Sequence, residues 1–231
     1  MYVRNKQEDT DKFHNTISQS LHILKNNKTF QTLPIRTADG KLVFTTVSRV
    51  FLGEPGLTTL YFNLRIFPYT FDTHNDDEIA SAAKCIFESG NVLHQNICRD
   101  SNCIGSHSIA LLNFFDPTTV HPSSWPQDSY FNLGRLAINW HQDPALQKNS
   151  CVLVYQVNAQ VSGQHDTPWT IATCPLSGKQ YNCFALHSGD SYVIEGHFND
   201  TNYHAVIAGS SERISVVYRN IQVCRASIDS F

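Results

Sequence analysis

Residues 181–220 read YNCFALHSGDSYVIEGHFNDTNYHAVIAGSSERISVVYRN, and this stretch decides the fold class. It consists of short apolar and β-branched runs separated by Gly, Ser, Asn and Asp, the residues that favour turns. Similar runs precede it from Ser108 onward, namely SIALLNFF, LGRLAINW, SCVLVYQV and WTIATC. Short strands at this spacing predict an all-β sandwich or barrel such as a jelly roll.

The residues before Ser108 predict helices that flank this β-rich part, so the chain as a whole is mainly β. From Asp11 to Asn26, apolar residues recur at spacings of three and four, as they do on one face of a helix. A second helix is expected after the acidic pair 76–77, ending near Gly90. Between the two helices, KLVFTTVSRVFLG and LTTLYFNLRIFPY, separated by the turn residues GEPG, predict a β-hairpin.

Length and composition indicate one globular domain over residues 1–231, with helices and hairpin in 1–107 and the jelly-roll core in 108–231. The formal net charge of −3 excludes a generally cationic surface, so a nucleic-acid partner would have to meet a local patch. Seven cysteines without a Cys-x-x-Cys pair favour a reducing compartment. The start lacks the apolar core of a signal peptide, and no stretch is apolar enough to span a membrane. We expect a protein of the nucleus or cytoplasm that is neither secreted nor membrane-embedded.

The sequence AINWHQDPAL, residues 137–146, contains a candidate metal-binding pair, His141 and Asp143. In an extended chain, side chains two residues apart point to the same face, so this pair can bind one ion at a strand end. His204, at the head of an apolar run, is a candidate third ligand. Two His and one carboxylate form the facial arrangement that leaves open positions on Fe(II). A His-x-Asp pair alone also arises by chance in a polar turn, and the chain has eleven His residues.

Arg213 makes the metal interpretation more specific. It lies about one strand length beyond His204, which would place a guanidinium deep in the barrel while His204 stays at its mouth. Such a cation suits the far carboxylate of a short dicarboxylic acid. Ser215 faces the same side, and Arg219 follows four residues later. Together these features indicate an Fe(II)- and 2-oxoglutarate-dependent oxygenase.

The segments LLNFFDP, YFNLGRLAINWHQD, LHSGDSY and HAVIAGSSERIS resemble the catalytic domain of the FTO-like branch of the AlkB family of nucleic-acid demethylases. Upstream, VSRVFLGEPG followed by LYFN resembles that family's substrate-lid hairpin. The resemblance spans roughly residues 13–219 in the family's order. It implies a double-stranded β-helix with Fe(II) held by His141, Asp143 and His204, and with 2-oxoglutarate and O2 as co-substrates.

The resemblance also implies further site residues. Those expected around 2-oxoglutarate are Asn113, Tyr192, Arg213, Ser215 and Arg219. Those expected in the substrate pocket are Arg49 and Tyr61 from the lid, and Ile138 and Trp140 beside the metal. The implied reaction is oxidative demethylation of N-methylated bases, N6-methyladenine first, in single-stranded RNA or, as second candidate, single-stranded DNA. It would release formaldehyde, succinate and CO2, and the loop from Pro117 to Tyr130 would obstruct duplex binding.

The sequence departs from the family pattern in three places. Pro144 follows the metal-binding Asp where the family has a Glu that helps to read the base, and proline offers neither a carboxylate nor a backbone N–H. Thr59 stands where the family has an aromatic lid residue, which weakens stacking on a flipped base by about 1–3 kcal/mol. The chain ends at Phe231, where the family continues into a helical C-terminal domain that we expect to be absent here.

These departures leave two alternatives open. One is a 2-oxoglutarate oxygenase that acts on a small molecule or a protein, and the other is a non-catalytic truncated binding module. A jelly roll that binds Zn or no metal is disfavoured because both His residues, the Asp and the Arg-x-Ser strand occur together. The sequence makes no prediction about the oligomeric state.

Overall fold

The computed structural model describes residues 2–4, 11–36, 39–54, 56–61, 64–69, 77–97, 107–116, 118–120, 122–144, 146–147, 150–158, 167–221 and 224–225. The helices are α1 (Asp11–Asn26), α2 (Glu78–Ile97) and α3 (Gly196–Thr201). The strands are β1 (Tyr2–Arg4), β2 (Gln31–Arg36), β3 (Leu42–Gly53), β4 (Leu57–Tyr61), β5 (Leu64–Ile66), β6 (Ile109–Phe115), β7 (Leu136–His141), β8 (Cys151–Asn158), β9 (Trp169–Pro175), β10 (Asn182–Leu186), β11 (Ser191–Glu195), β12 (Asn202–Ile207), β13 (Arg213–Arg219) and β14 (Cys224–Arg225).

Two antiparallel sheets form the body of the protein. The large sheet has the order β1-β11-β8-β13-β6-β3-β2, and the small sheet has the order β10-β9-β12-β7. The eight strands from β6 to β13 are distributed four to each of these sheets, which is the arrangement of a jelly roll. The mainly β, double-stranded β-helix fold expected from the sequence is confirmed.

Helices α1 and α2 cover the outer face of the large sheet. The expected apolar face of α1 is present: Ile17, Leu21 and Leu24 are buried in the same cluster as Leu112, Leu153 and Val216 of the sheet. Burial of each such side chain contributes roughly 1.5–3 kcal/mol, which fixes the helices against strands that carry site residues on their other face. Among the described residues, no helix is both long and apolar enough to cross a membrane.

Helix α2 continues to Ile97, whereas the sequence predicted that it would end near Gly90. A Cβ at Gly90 would lie 2.4 Å from Cδ1 of Tyr218 and 2.5 Å from Cε1 of His107. The glycine therefore permits close packing of the helix on the sheet, and this contact outweighs the poor helix propensity of glycine, which costs about 1 kcal/mol.

The prediction that the two strands within residues 41–69 pair with each other as a hairpin is wrong. Strand β3 pairs with β2 and β6 inside the large sheet, whereas β4 pairs with β5 and β14 in a separate three-stranded sheet. Two adjacent β-rich runs with a turn between them predict a hairpin by local pattern, but both flanks of β3 are occupied by other strands. The side chains of Tyr61 and Thr59, both assigned to the lid, lie outside the described residues.

Candidate metal centre and adjoining cavity

Three predicted metal ligands meet at one end of the small sheet. His141 is the last residue of β7 and pairs in register with His204 of β12. The Asp143 carboxylate lies 3.7 Å from Nε2 of His141 and 3.6 Å from Nε2 of His204. One candidate ligand atom from each residue lies within 4.8 Å of the other two, which is close enough for one ion to bind all three.

Both imidazoles are set up as neutral ligands. Burial lowers the pKa of His204 well below its ordinary value of 6.5, and the neighbouring His141 lowers it further. Burial also lowers the pKa of His141. Nδ1 of His141 lies 2.8 Å from the Asn139 carbonyl, so Nδ1–H donates there and the Nε2 lone pair faces Asp143. This donor set fits Fe(II), which requires deprotonated nitrogen and carboxylate ligands.

Two residues hold Asp143. The Arg219 guanidinium forms an ion pair with its carboxylate, so Arg219, expected near 2-oxoglutarate, also contacts a predicted metal ligand. On the other side, the Asn199 side chain accepts a hydrogen bond from the Asp143 N–H at 2.8 Å and donates one to the Asp143 carbonyl at 3.0 Å. Asn199 belongs to α3 and is buried. The structure thus holds both the backbone and the carboxylate of this aspartate in place.

Arg213 is enclosed in the interior, where 1% of its surface is exposed. Its guanidinium carbon lies 5.0 Å from the Phe115 ring centroid and 5.4 Å from that of Trp169. Nε donates to Oε1 of Gln156 at 3.0 Å, while the buried Nη1 has no hydrogen-bond partner within the part of the chain that the structure describes. A buried guanidinium nitrogen left to donate fits a carboxylate ligand, as the sequence pattern predicted.

A row of polar side chains crosses the inner face of the large sheet beside Arg213. Arg49 of β3, Asn113 of β6 and Ser215 of β13 stand directly opposite one another in register. Arg49 donates from Nε to Oδ1 of Asn113 at 2.7 Å, and Asn113 donates from Nδ2 to Oγ of Ser215 at 3.3 Å. Tyr192, on β11, shares a hydrogen bond with Arg213, and burial raises the pKa of its hydroxyl. The tyrosine is therefore neutral and available as a donor at neutral pH.

One cavity of about 720 Å³ joins these groups between the two sheets. Every predicted site residue whose side chain the structure describes lines it: Arg49, Asn113, Ile138, Trp140, His141, Asp143, Tyr192, His204, Arg213, Ser215 and Arg219. Alternate residues of β13, from Arg213 to Arg219, form one wall, as the strand period of two requires. Pro144 also lines the cavity, so the departure from the family pattern lies in the candidate substrate pocket.

Asp128 fixes the side chain of Trp140, an aromatic residue that lines the cavity. It accepts a hydrogen bond from Nε1 of Trp140 at 3.1 Å and others from the backbone N–H groups of Tyr130, Phe131 and Leu133. Burial raises the pKa of Asp128, but these hydrogen bonds outweigh it and leave the pKa below its ordinary value. The β6–β7 loop is therefore tied to the indole of a candidate pocket residue.

Sequence reasoning missed three residues of this site: Asp128, Gln156 and Asn199. Gln156 had a signal, because it is a lone polar residue in the apolar run CVLVYQV. Asn199 stands in the polar run NDTN, where no periodicity or motif marks it as a site residue. Its side-chain amide is engaged with Asp143.

Comparison with known proteins identifies the family of the chain. A family model described as the FTO catalytic domain matches residues 1–102 and 96–222. The chain is 26% identical over 272 aligned positions to a protein of Xenopus laevis named alpha-ketoglutarate-dependent dioxygenase FTO, covering 93% of the chain and 52% of that relative. The chain thus spans about half the length of the curated relative that it matches.

Two solved structures share the fold at low sequence identity. A structure titled "The structure of OsALKBH1" matches with a TM-score of 0.50 at 14% identity, covering 95% of this chain and 97% of that one. A prolyl hydroxylase from Trichoplax adhaerens, solved with a hypoxia inducible factor peptide, matches with a TM-score of 0.54 at 12% identity, covering 95% and 83%. The structures show the jelly-roll fold alone, whereas the family model covers most of the sequence. The chain belongs to the family of FTO catalytic domains.

Proposed function

We propose that this chain is an Fe(II)- and 2-oxoglutarate-dependent oxygenase that demethylates N-methylated bases in single-stranded RNA, with N6-methyladenine as the first candidate. The observation that carries the proposal is one cavity that contains both a two-His, one-carboxylate cluster and a buried arginine, one nitrogen of which has no hydrogen-bond partner among the described residues. Membership of the FTO catalytic-domain family supports it.

Different residues of the cavity would bind the metal and 2-oxoglutarate in such a reaction. His141, Asp143 and His204 would hold Fe(II), and Arg213, with Tyr192 and Ser215 beside it, would bind the far carboxylate of 2-oxoglutarate. When bound together with O2, Fe(II) and 2-oxoglutarate would supply oxidation of an N-methyl carbon: one oxygen atom would enter succinate as 2-oxoglutarate loses CO2, the other would hydroxylate the methyl group, and the hydroxymethyl product would release formaldehyde. Arg219 offsets the negative charge of Asp143. Apolar walls from Val152, Val154 and Val217 limit the water in the cavity.

The substrate proposal depends on the residues that line the cavity beside the candidate metal ligands. A base in a duplex cannot reach a cluster inside the jelly roll, so the substrate has to be single-stranded or flipped out. Ile138 and Trp140 line the cavity beside the metal ligands and offer apolar and aromatic contact to a base. Arg49, held by Asn113, offers a donor to a base edge. Single-stranded DNA presents the same bases and is the second candidate polymer.

The test is mass spectrometry of methylated oligonucleotides after incubation with Fe(II), ascorbate and 2-oxoglutarate. The panel contains single-stranded RNA and DNA with different N-methylated bases, together with free nucleosides and peptides. We expect methyl loss from RNA, matched by equimolar formaldehyde and succinate, and abolished in His141→Ala. Turnover of nucleosides or peptides alone would refute the substrate, and absence of succinate with every substrate would refute the oxygenase.

We also propose that the protein acts in the nucleus or cytoplasm. Among the described residues, Cys85, Cys151, Cys174 and Cys183 are free thiols, which is typical of a reducing compartment. Microscopy of a fluorescent fusion to the natural full-length protein tests this, and a secreted fusion would overturn it.

A further inference from the structure

We propose that Asn199 is a positioning residue for the metal centre, which holds the backbone of Asp143 so that its carboxylate meets both imidazoles. This inference rests on the proposed function only in assuming that the cluster of His141, Asp143 and His204 binds a divalent cation.

The need for such a residue follows from the strand boundaries. β7 ends at His141, and pairing with β12 holds that residue opposite His204. Asp143 lies two residues beyond the strand, past the point where ladder hydrogen bonds fix the backbone. A carboxylate on an unheld segment would lose conformational entropy when it binds a metal, and that loss opposes binding.

The Asn199 side chain replaces the missing ladder. Its amide accepts from the N–H and donates to the carbonyl of the same residue, Asp143, at 2.8 and 3.0 Å, as an adjacent strand would. A further bond, from Nε2 of Gln142 to the Asn199 carbonyl at 2.6 Å, closes the contact. With both backbone polar groups of Asp143 bonded, rotation of the segment would break two hydrogen bonds at once.

Asn199 also connects the two ligand-bearing segments. It belongs to α3, which leads directly into β12 and His204. The segment that carries His141 and Asp143 is therefore attached to the segment that carries His204 at two points. One is the pairing of His141 with His204, and the other is the pair of hydrogen bonds between Asn199 and Asp143. Because 5% of Asn199 is exposed, water competes poorly for these bonds. Hydrogen-bond partners that orient metal ligands commonly change metal affinity about 10–100-fold.

The chain offers a matched control in Asn202. This residue follows α3 directly and donates from Nδ2 to the Phe198 carbonyl and to Oγ1 of Thr201, both at 3.0 Å. Asn202→Ala therefore removes an asparagine side chain with comparable local hydrogen bonds, at a distance of only three residues in sequence. Asn199→Asp supplies a second test variant, since it preserves size and the acceptor for the Asp143 N–H but loses the donor to the carbonyl.

The experiment measures Co(II) binding to the metal-free chain by visible absorption, for the wild type, Asn199→Ala, Asn199→Asp and Asn202→Ala. Thermal unfolding is recorded for each protein with and without Co(II). We expect about 10–100-fold weaker Co(II) binding in both Asn199 variants, altered Co(II) bands and a smaller metal-induced rise in Tm. Asn202→Ala should match the wild type in all three measurements.

The alternative outcomes separate the two claims. Equal Co(II) affinity in the Asn199 variants and the wild type would overturn the positioning role, as would an equal loss in Asn202→Ala. A merely structural role would lower the unfolding temperature with and without metal by the same amount, which also counts against the inference. If the wild type itself binds no Co(II), the proposed function fails. If Asn199→Ala does not fold, the isosteric Asn199→Asp decides the question.

Discussion

Gln156→Glu should abolish tight binding of 2-oxoglutarate while keeping the shape of the site. Oε1 of Gln156 accepts from Nε of Arg213 at 3.0 Å, and both side chains are fully enclosed. The substitution preserves this hydrogen bond but places a full negative charge on it. Arg213 would then already be paired, and an incoming dicarboxylate would meet a guanidinium whose charge is neutralised.

The structure sets the size of the effect. A dicarboxylate on the far side of the Arg213 guanidinium would lie roughly 6 Å from the new carboxylate, and at an effective dielectric constant of about 20 two like charges at that separation repel by about 3 kcal/mol. This repulsion weakens binding about 100-fold. Gln156→Met is the matched control, because it removes the acceptor without adding charge and should have the smaller effect.

Isothermal titration of 2-oxoglutarate into the Mn(II)-loaded chain measures this directly. Quenching of tryptophan fluorescence provides a second signal, since the Trp169 ring lies 5.4 Å from the guanidinium carbon of Arg213. Mn(II) binding itself should be unchanged in Gln156→Glu. Equal 2-oxoglutarate affinity in the wild type and Gln156→Glu would refute the assignment of Arg213 as the carboxylate-binding residue.

Three further predictions concern stability and the loop. Burial, with a smaller contribution from His94, lowers the pKa of His107 from 6.5 to about 4. Between pH 6.5 and 4 the unfolded chain therefore binds a proton at His107 that the folded chain does not bind, so the free energy of unfolding should fall by about 3 kcal/mol over this range. Urea unfolding of the wild type and His107→Asn at pH 7 and 4.5 checks this prediction. An identical pH dependence of the two proteins would contradict it. Gly90→Ala should lower the free energy of unfolding by about 1–3 kcal/mol, because its Cβ would overlap Tyr218; an unchanged urea midpoint would show that the helix can shift. Removing residues 119–127 to test the loop would also remove the buried Trp125, so the better variant is Tyr130→Ala, at a side chain that is 76% exposed. It should raise turnover of duplex relative to single-stranded oligonucleotides without changing Tm, and a constant ratio would argue against the obstructing role of the loop.

Sequence by itself determined the features that repeat locally. Periods of 3.6 and 2 residues can be recognised from consecutive residues. They predicted the helical face of α1, the short strands from β6 to β13 and the same-face spacing of His141 and Asp143. The Arg-x-Ser spacing of β13 followed in the same way. These local patterns were enough to predict the jelly roll, the three candidate metal ligands and the polar residues of β13. The other predicted residues of the cavity, Arg49, Asn113, Ile138, Trp140 and Tyr192, were expected from the family resemblance.

Tertiary structure alone decided what depends on contacts between distant segments. Local pattern indicated that β3 would pair with β4, but β3 lies between β2 and β6. Gly90 indicated a helix end, but in the fold it permits close approach to Tyr218. The bonds from Asn199 to Asp143 and from Gln156 to Arg213 join residues that are 56 and 57 positions apart. No local period reports such bonds, because their geometry exists only when two strands or a strand and a helix have been placed side by side.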